Sequence, residues 1–163
     1  LEFRRVLFRS WDAQDKLYEP LYERCKAPPA IRYHGAVDQA TVRKAYQDAH
    51  IFAYPSIWPE TSCRCLIEAM MAGCLCVHPN YAALPDTSSG MTDWYDGDDN
   101  KDRHARRFAE AMAQIINILR TTDVWDSTGL TNRRKLAHTI ATTRFGWPTV
   151  IRKWKNLIAE LKA

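Results

Sequence analysis

The sequence predicts a Rossmann-like α/β fold, a parallel sheet flanked by helices. Two short runs, Ile51 to Tyr54 and Leu75 to His78, are almost continuously apolar, as strands buried on both faces are. They are separated by helical patterns, and a helix between two such strands is the usual crossover of a parallel sheet. Pro55, Gly73 and Pro79 punctuate these segments in the way that closes strands and helices.

The elements follow in order. Residues 12–25 read as a helix, with Leu17, Leu21 and Cys25 spaced by four and Pro20 inside as a candidate kink. Ile31 and Tyr33 alternate with Arg32 and His34, which predicts a strand over 30–34 closed by Gly35. Helices are expected over 39–49 and 62–72, with Gly73 as the C′ residue of the second. After the Leu75–His78 strand the chain turns helical. Ala105, Phe108, Met112, Ile115, Ile116 and Leu119 mark a helix over 102–120, and 130–142 is a weaker one. Phe145-Gly146-Trp147-Pro148 breaks the chain before a last helix with Ile151, Trp154, Leu157, Ile158 and Leu161 on one face. Ligands of such folds bind beyond the carboxyl ends of the strands. Here those ends are Gly35–Asp38, Pro55–Ser62 and Pro79–Ala83.

Composition narrows the classes. At 163 residues, with 46% hydrophobic and 26% charged residues, the chain has the make-up of about one globular domain. No apolar run reaches the roughly 20 residues of a membrane helix, so no transmembrane segment is expected. Net charge is +4, and residues 1–10, LEFRRVLFRS, carry +2 of it. That weak excess gives no case for nucleic acid. The first ten residues lack the features of a signal peptide and read as a junction, leaving 11–163 as a single domain. Five cysteines, an odd number, with no secretory signal fit reduced thiols and a cytoplasmic setting, with peripheral membrane attachment left open. Cys63/Cys65 and Cys74/Cys76 are each separated by one residue, short of zinc-ligand spacing, so no metal is expected. Asp96, Asp98, Asn100 and Asp102 alternate as in a calcium loop, but Lys101 and Arg107 occupy the Gly and Glu positions. The segment reads as a polar loop ending in a helix cap, with Arg103, Arg106 and Arg107 on a solvated face. The five His read as ordinary ones, including His34 and His78 at strand ends.

The informative stretch is Tyr54-Pro55-Ser56 to Met71-Ala72-Gly73. Glu60 lies before a helix start near Ser62, and Glu68 lies on that helix with seven residues between them. A helix N-terminus favours a phosphate, and two nearby carboxylates suit the hydroxyls of a sugar or ribose. A nucleotide-sugar meets both requirements. On spacing alone, two solvated glutamates are the commoner outcome.

Pro55, Ser56, Glu60, Glu68, Ala69 and Gly73 form an ordered set that resembles the C-terminal domain of retaining GT-B glycosyltransferases of family 4 (group 1). Arg32–Val37, Ala49–Tyr54, Cys74–Val77, Ala83–Asp86 and Phe145–Trp147 resemble further segments of that domain, and the likeness spans about residues 15–160. The resemblance implies that Glu68 binds the ribose of the donor and that Glu60 holds the transferred sugar at the reaction centre. It implies that the backbone N–H groups of Thr61, Ser62 and Cys63 meet the diphosphate or sugar, and that Gly35, Val37 and Asp38 contact the base. It also implies transfer with retention, no cofactor beyond the nucleotide-sugar donor, an acceptor of unknown identity and an N-terminal acceptor domain as partner. Thr61-Ser62-Cys63 departs from the family's Gly-Phe-Gly, and the family's opening Gly-Arg and Lys-Gly segments are not found. The chain alone is therefore expected to bind nucleotide weakly and to transfer no sugar. Since the last helix of this family reaches toward the acceptor domain, Trp154 is expected to be partly exposed. A dinucleotide oxidoreductase or epimerase would need a Gly-x-Gly-x-x-Gly turn, which six scattered glycines do not supply. The alternative that stands is a non-catalytic nucleotide-binding or interaction module with the same fold.

Overall fold

The structure, a computed structural model, describes residues 15–26, 31–121 and 128–162. The expected junction 1–10, residues 12–14 of the first helix and Ala30 of the first strand lie outside them. Residues up to Ala49 and residues from His50 onward form two compact units. Among the described residues no helix is long and apolar enough to cross a membrane.

The first unit holds α1 (Asp15–Lys26) and α2 (Gln39–Asp48). Helix α1 continues through Pro20. Asp38 caps α2 by accepting from the Thr41 N–H at 2.8 Å, and Val42 and Tyr46 are the buried residues of that helix. Residues 31–34 form no strand, contrary to the alternation of Ile31 and Tyr33. Alternation reports a preference for extended backbone, whereas a strand needs a ladder partner. The Tyr33 ring stacks on Tyr22 of α1 at 5.3 Å, so its side chain is engaged without a sheet.

The second unit is built on a parallel sheet of order β1-β2-β3 (Ile51–Ala53, Leu75–Asn80, Asp93–Asp96). Between β1 and β2 runs α3 (Arg64–Met71), between β2 and β3 the short α4 (Leu84–Ser88). Helices α5 (Lys101–Thr121), α6 (Thr128–Phe145) and α7 (Trp147–Glu160) follow. Strand β2 is the middle strand and the most buried, with Val77 fully enclosed. On one sheet face Leu75, Val77 and Tyr95 pack with Ile115 and Leu119 of α5. Helix α3 contributes Leu66, Ala69 and Met70, all fully buried, and burying one such Leu or Met side chain stabilises by about 1.5–3 kcal/mol. Its C-terminal end carries a Schellman motif. The Cys74 N–H bonds to the Ala69 carbonyl and the Gly73 N–H to Met70, each at 3.0 Å, with Gly73 at φ +80°. Arg134 and His138 of α6 grip the same end, bonding the Gly73 and Met71 carbonyls, each at 2.6 Å.

Strand β2 runs two residues past the expected end, through Pro79 to Asn80. The Leu75 N–H and the Val77 carbonyl face β1, bonding His50 and Tyr54. Pro79, two residues on, directs its missing donor to that same side, where pairing has already stopped at Ala53↔Val77. The β3 ladder continues to Asn80↔Asp96, so the proline removes no bond from it.

Candidate functional site

The site is assembled at the carboxyl edge of the sheet. Strand β1 leads through Tyr54 and Pro55 into a loop that ends at Cys63, the N-cap of α3. The helix expected from Ser62 therefore begins at Arg64. Thr61 and Ser62 are exposed and precede it, while Cys63 is buried and its side chain makes no capping hydrogen bond. The first intrahelical bond runs from the Ile67 N–H to the Cys63 carbonyl at 3.1 Å. The start of α3 carries the positive end of the helix dipole.

Glu60 is half-buried and fixed from both sides. The Tyr54 hydroxyl donates to its Oε1 at 2.5 Å. Its backbone N–H bonds the Trp58 carbonyl at 2.9 Å, and its carbonyl accepts from the Ala83 N–H, beyond β2, at 3.1 Å. Burial, and then the bond to Glu60, push the Tyr54 phenol well above its ordinary range, so it stays a donor. Burial likewise raises the Cys63 thiol, which makes it a packing group rather than a nucleophile. Glu68 lies on the second turn of α3, with 27% of its side chain exposed and Arg64 Nε at 3.9 Å from its carboxylate.

Glu60, Thr61, Ser62, Cys63 and Glu68 thus share one loop and the helix it feeds. Gly35, Val37 and Asp38 belong to the first unit. Gly35 has φ +65°, a left-handed turn that favours glycine, and Asp38 is spent as the cap of α2. Their assignment to the base rests on the sequence resemblance.

The expected strand-end histidine His78 is instead enclosed. Its Nε2 meets Thr92 Oγ1 at 2.7 Å and its Nδ1 the Pro79 carbonyl at 2.9 Å. Burial lowers its pKa, so it is a satisfied core histidine. His34 is exposed. The polar loop 96–102 does end in a cap: Asn100 Oδ1 accepts from the Asp102 and Arg103 N–H groups at 3.1 and 3.0 Å. Arg103 and Arg107 are not simply solvated. Both reach Asp98, at 2.9 and 3.4 Å, and Arg107 also donates to the Asp96 and Gly97 carbonyls. Arg103 holds the Asp98 carboxyl well down, at about 2. Trp154 is 61% exposed, and α7 has no buried residue.

Three features escaped the sequence reading. Tyr54 anchors Glu60, Arg64 places a cation beside Glu68, and the loop after β3 borders an open cavity of about 570 Å³ shared with the ends of β1 and β2. Tyr54 is separated from Glu60 by a loop whose shape sequence does not state. The i, i+4 spacing of Arg64 and Glu68 was a readable signal. Among the described residues, no group of three or more His, Cys, Asp or Glu could hold a metal ion.

Comparison with known proteins bears on this geometry. A family model described as "Glycosyl transferases group 1" matches residues 12–117, well over half of the chain. No curated protein matches. Among solved structures, one described as "Crystal structure of GtfA/B complex" superposes with a TM-score of 0.60 at 16% identity, over 95% of this chain. At that identity the likeness is one of fold: a Rossmann-like parallel sheet flanked by helices, as in GT-B glycosyltransferases. This chain spans 29% of that one.

Proposed function

The chain belongs to the group 1 glycosyl transferases, and from that premise we propose that it is the donor half of a retaining, family 4-type hexosyltransferase that takes a nucleoside-diphosphate sugar. The observation that carries this reading is the arrangement of the two glutamates around the start of α3. Glu60 is held by Tyr54 in the loop ahead of the helix, and Glu68 stands on the helix beside Arg64.

The chemistry follows from these groups. The diphosphate lies at the N-terminus of α3, where the helix dipole and Arg64 offset its charge. As the glycosidic bond breaks, negative charge builds on the leaving diphosphate, and preorganised positive groups stabilise that state more than the ground state. Glu68 accepts hydrogen bonds from the ribose hydroxyls. Glu60, fixed by Tyr54, accepts from hydroxyls of the transferred sugar and so orients its anomeric carbon. It is assigned no nucleophilic role. The reaction needs no cofactor beyond the donor, and the acceptor comes from a separate acceptor-binding domain, toward which the uncovered apolar face of α7 is the natural contact. The chain by itself transfers no sugar under this reading.

The test is a calorimetric titration of the 163-residue chain with UDP, GDP and ADP, beside Glu68→Ala. One nucleotide should bind, and the variant should lose about tenfold in affinity. Equal binding by both proteins would remove Glu68 from the site. Absence of binding by all three nucleotides would overturn the donor reading and leave only the interaction-module form of the alternative.

A further inference from the structure

We propose that the cavity across the carboxyl ends of β1, β2 and β3 is a second subsite, which takes an uncharged sugar unit of the acceptor or product glycan; this rests on the glycosyl-transfer reading above. Its volume of about 570 Å³ falls within the range of small-ligand sites. All three strands run into it. Ser56 follows β1, Asn80 ends β2 with Tyr81 beyond it, and Gly97 to Asp99 follow β3. Neither Glu60 nor any residue from Thr61 to Glu68 lines it, so it is separate from the groups assigned to the donor.

Its electrostatics favour a neutral ligand over an anion. The N-terminus of α5 opens here and would attract a phosphate, but the Asn100 side chain already occupies its first amides. The Arg103 guanidinium is committed to both carboxylate oxygens of Asp98, each at 2.9 Å. The charges that remain on the wall, Asp99 and Lys101, oppose each other. What is left is a balanced set of acceptor, donor and amide: Asp99, Lys101 and Asn80. Sugar hydroxyls donate and accept at once, and such a mixed set satisfies them. Tyr81, 42% exposed, adds a flat apolar ring against which the C–H face of a pyranose can lie.

The wall is also rigid before any ligand arrives. His104 is 6% exposed. Its Nδ1 accepts from the Asp98 N–H at 3.4 Å, which leaves Nε2–H to donate to the Tyr95 hydroxyl at 3.0 Å. This chain ties the loop after β3 to the core, and Arg103 and Arg107 brace the same loop from α5. A site already ordered forfeits little freedom on binding.

The experiment is an NMR titration of the ¹⁵N-labelled chain with the methyl α-glycosides of glucose, mannose and galactose, with inorganic phosphate and a UDP-sugar as separate arms. At least one glycoside should shift the amides of Gly97, Asp99 and Lys101 saturably. Tyr81→Ala and Asp99→Ala should each weaken that response about tenfold while the remaining spectrum stays folded, and Glu68→Ala should leave it unchanged. The proposal is overturned if no glycoside shifts these amides up to about 100 mM. It is equally overturned if phosphate shifts them, or if only the nucleotide-sugar does. Nucleotide binding and its loss in Glu68→Ala report on the donor site independently, so failure of the subsite and failure of the donor reading are told apart.

Discussion

Replacing Tyr54 by Phe removes one hydroxyl and leaves the ring, so it isolates the bond that fixes Glu60. That bond is 2.5 Å long, between two partly buried groups, and its acceptor is a carboxylate. Hydrogen bonds to charged groups contribute about 1.5–3 kcal/mol net. Both partners retain some contact with water, which discounts this one to the lower end of that range or just below it, at about 1–2 kcal/mol. The Tyr54 ring keeps its stacking on Phe52, at 5.6 Å between centroids, so little packing is lost. For a chain of this size the melting temperature should fall by about 3–6 °C. The assay is a double-mutant cycle of Tyr54→Phe and Glu60→Gln, followed by thermal and urea unfolding. A coupling of at least about 0.5 kcal/mol is expected, and the same pair should couple in donor affinity. If the two substitutions add independently and Tyr54→Phe melts with the parent chain, the bond does not position Glu60 and the reasoning fails.

Two further predictions concern the scaffold. A Cβ on Gly146 would sit 2.3 Å from the Thr142 carbonyl oxygen, so Gly146→Ala must move backbone at the α6–α7 turn. It should cost about 1–3 kcal/mol, read as a lower urea midpoint; an unchanged midpoint would show that the turn yields freely. Burial lowers the folded pKa of His78 below its ordinary 6.5. The neutral histidine's contribution is then complete above about pH 6.5 and declines as pH falls toward the folded value, because the unfolded chain takes up the proton first. The stability of the parent chain should therefore drop between pH 7 and 5 more steeply than that of His78→Gln; parallel curves would contradict the assignment.

How far the sequence speaks differs from element to element. β1 and β2 were legible because they are apolar runs, and α5 because its core face repeats at helical spacing through Ile115 and Leu119. β3 was not. It reads Asp93-Trp94-Tyr95-Asp96, only Tyr95 is buried, and an outer strand of this kind has no hydrophobic signature. Without β3, the cavity bordered by its loop could not be anticipated. α4, at five residues, is too short for any periodicity. The segment 31–34 failed in the opposite sense, since its alternation had no ladder to join. For the site, spacing alone favoured two solvated glutamates, and it was the resemblance carried by Pro55, Ser56, Glu60, Glu68, Ala69 and Gly73 that suggested donor chemistry. The Tyr54–Glu60 bond was hidden, as is any contact that depends on how a loop folds back.

The proline in the middle strand has a meaning beyond the hydrogen bonds it does or does not make. Pro55 stands just past the end of β1, and Pro79 stands opposite on β2. Pro79 has no N–H to offer the Tyr54 carbonyl, the next acceptor along β1, so pairing of the two strands is checked there. It works as a zip stop. The segment that carries Glu60 is shielded from recruitment into the sheet, and residues could be added or lost there without changing strand register. The chemistry at this edge is thereby free to diversify by loop exchange, while the folding of the layer beneath it is left undisturbed.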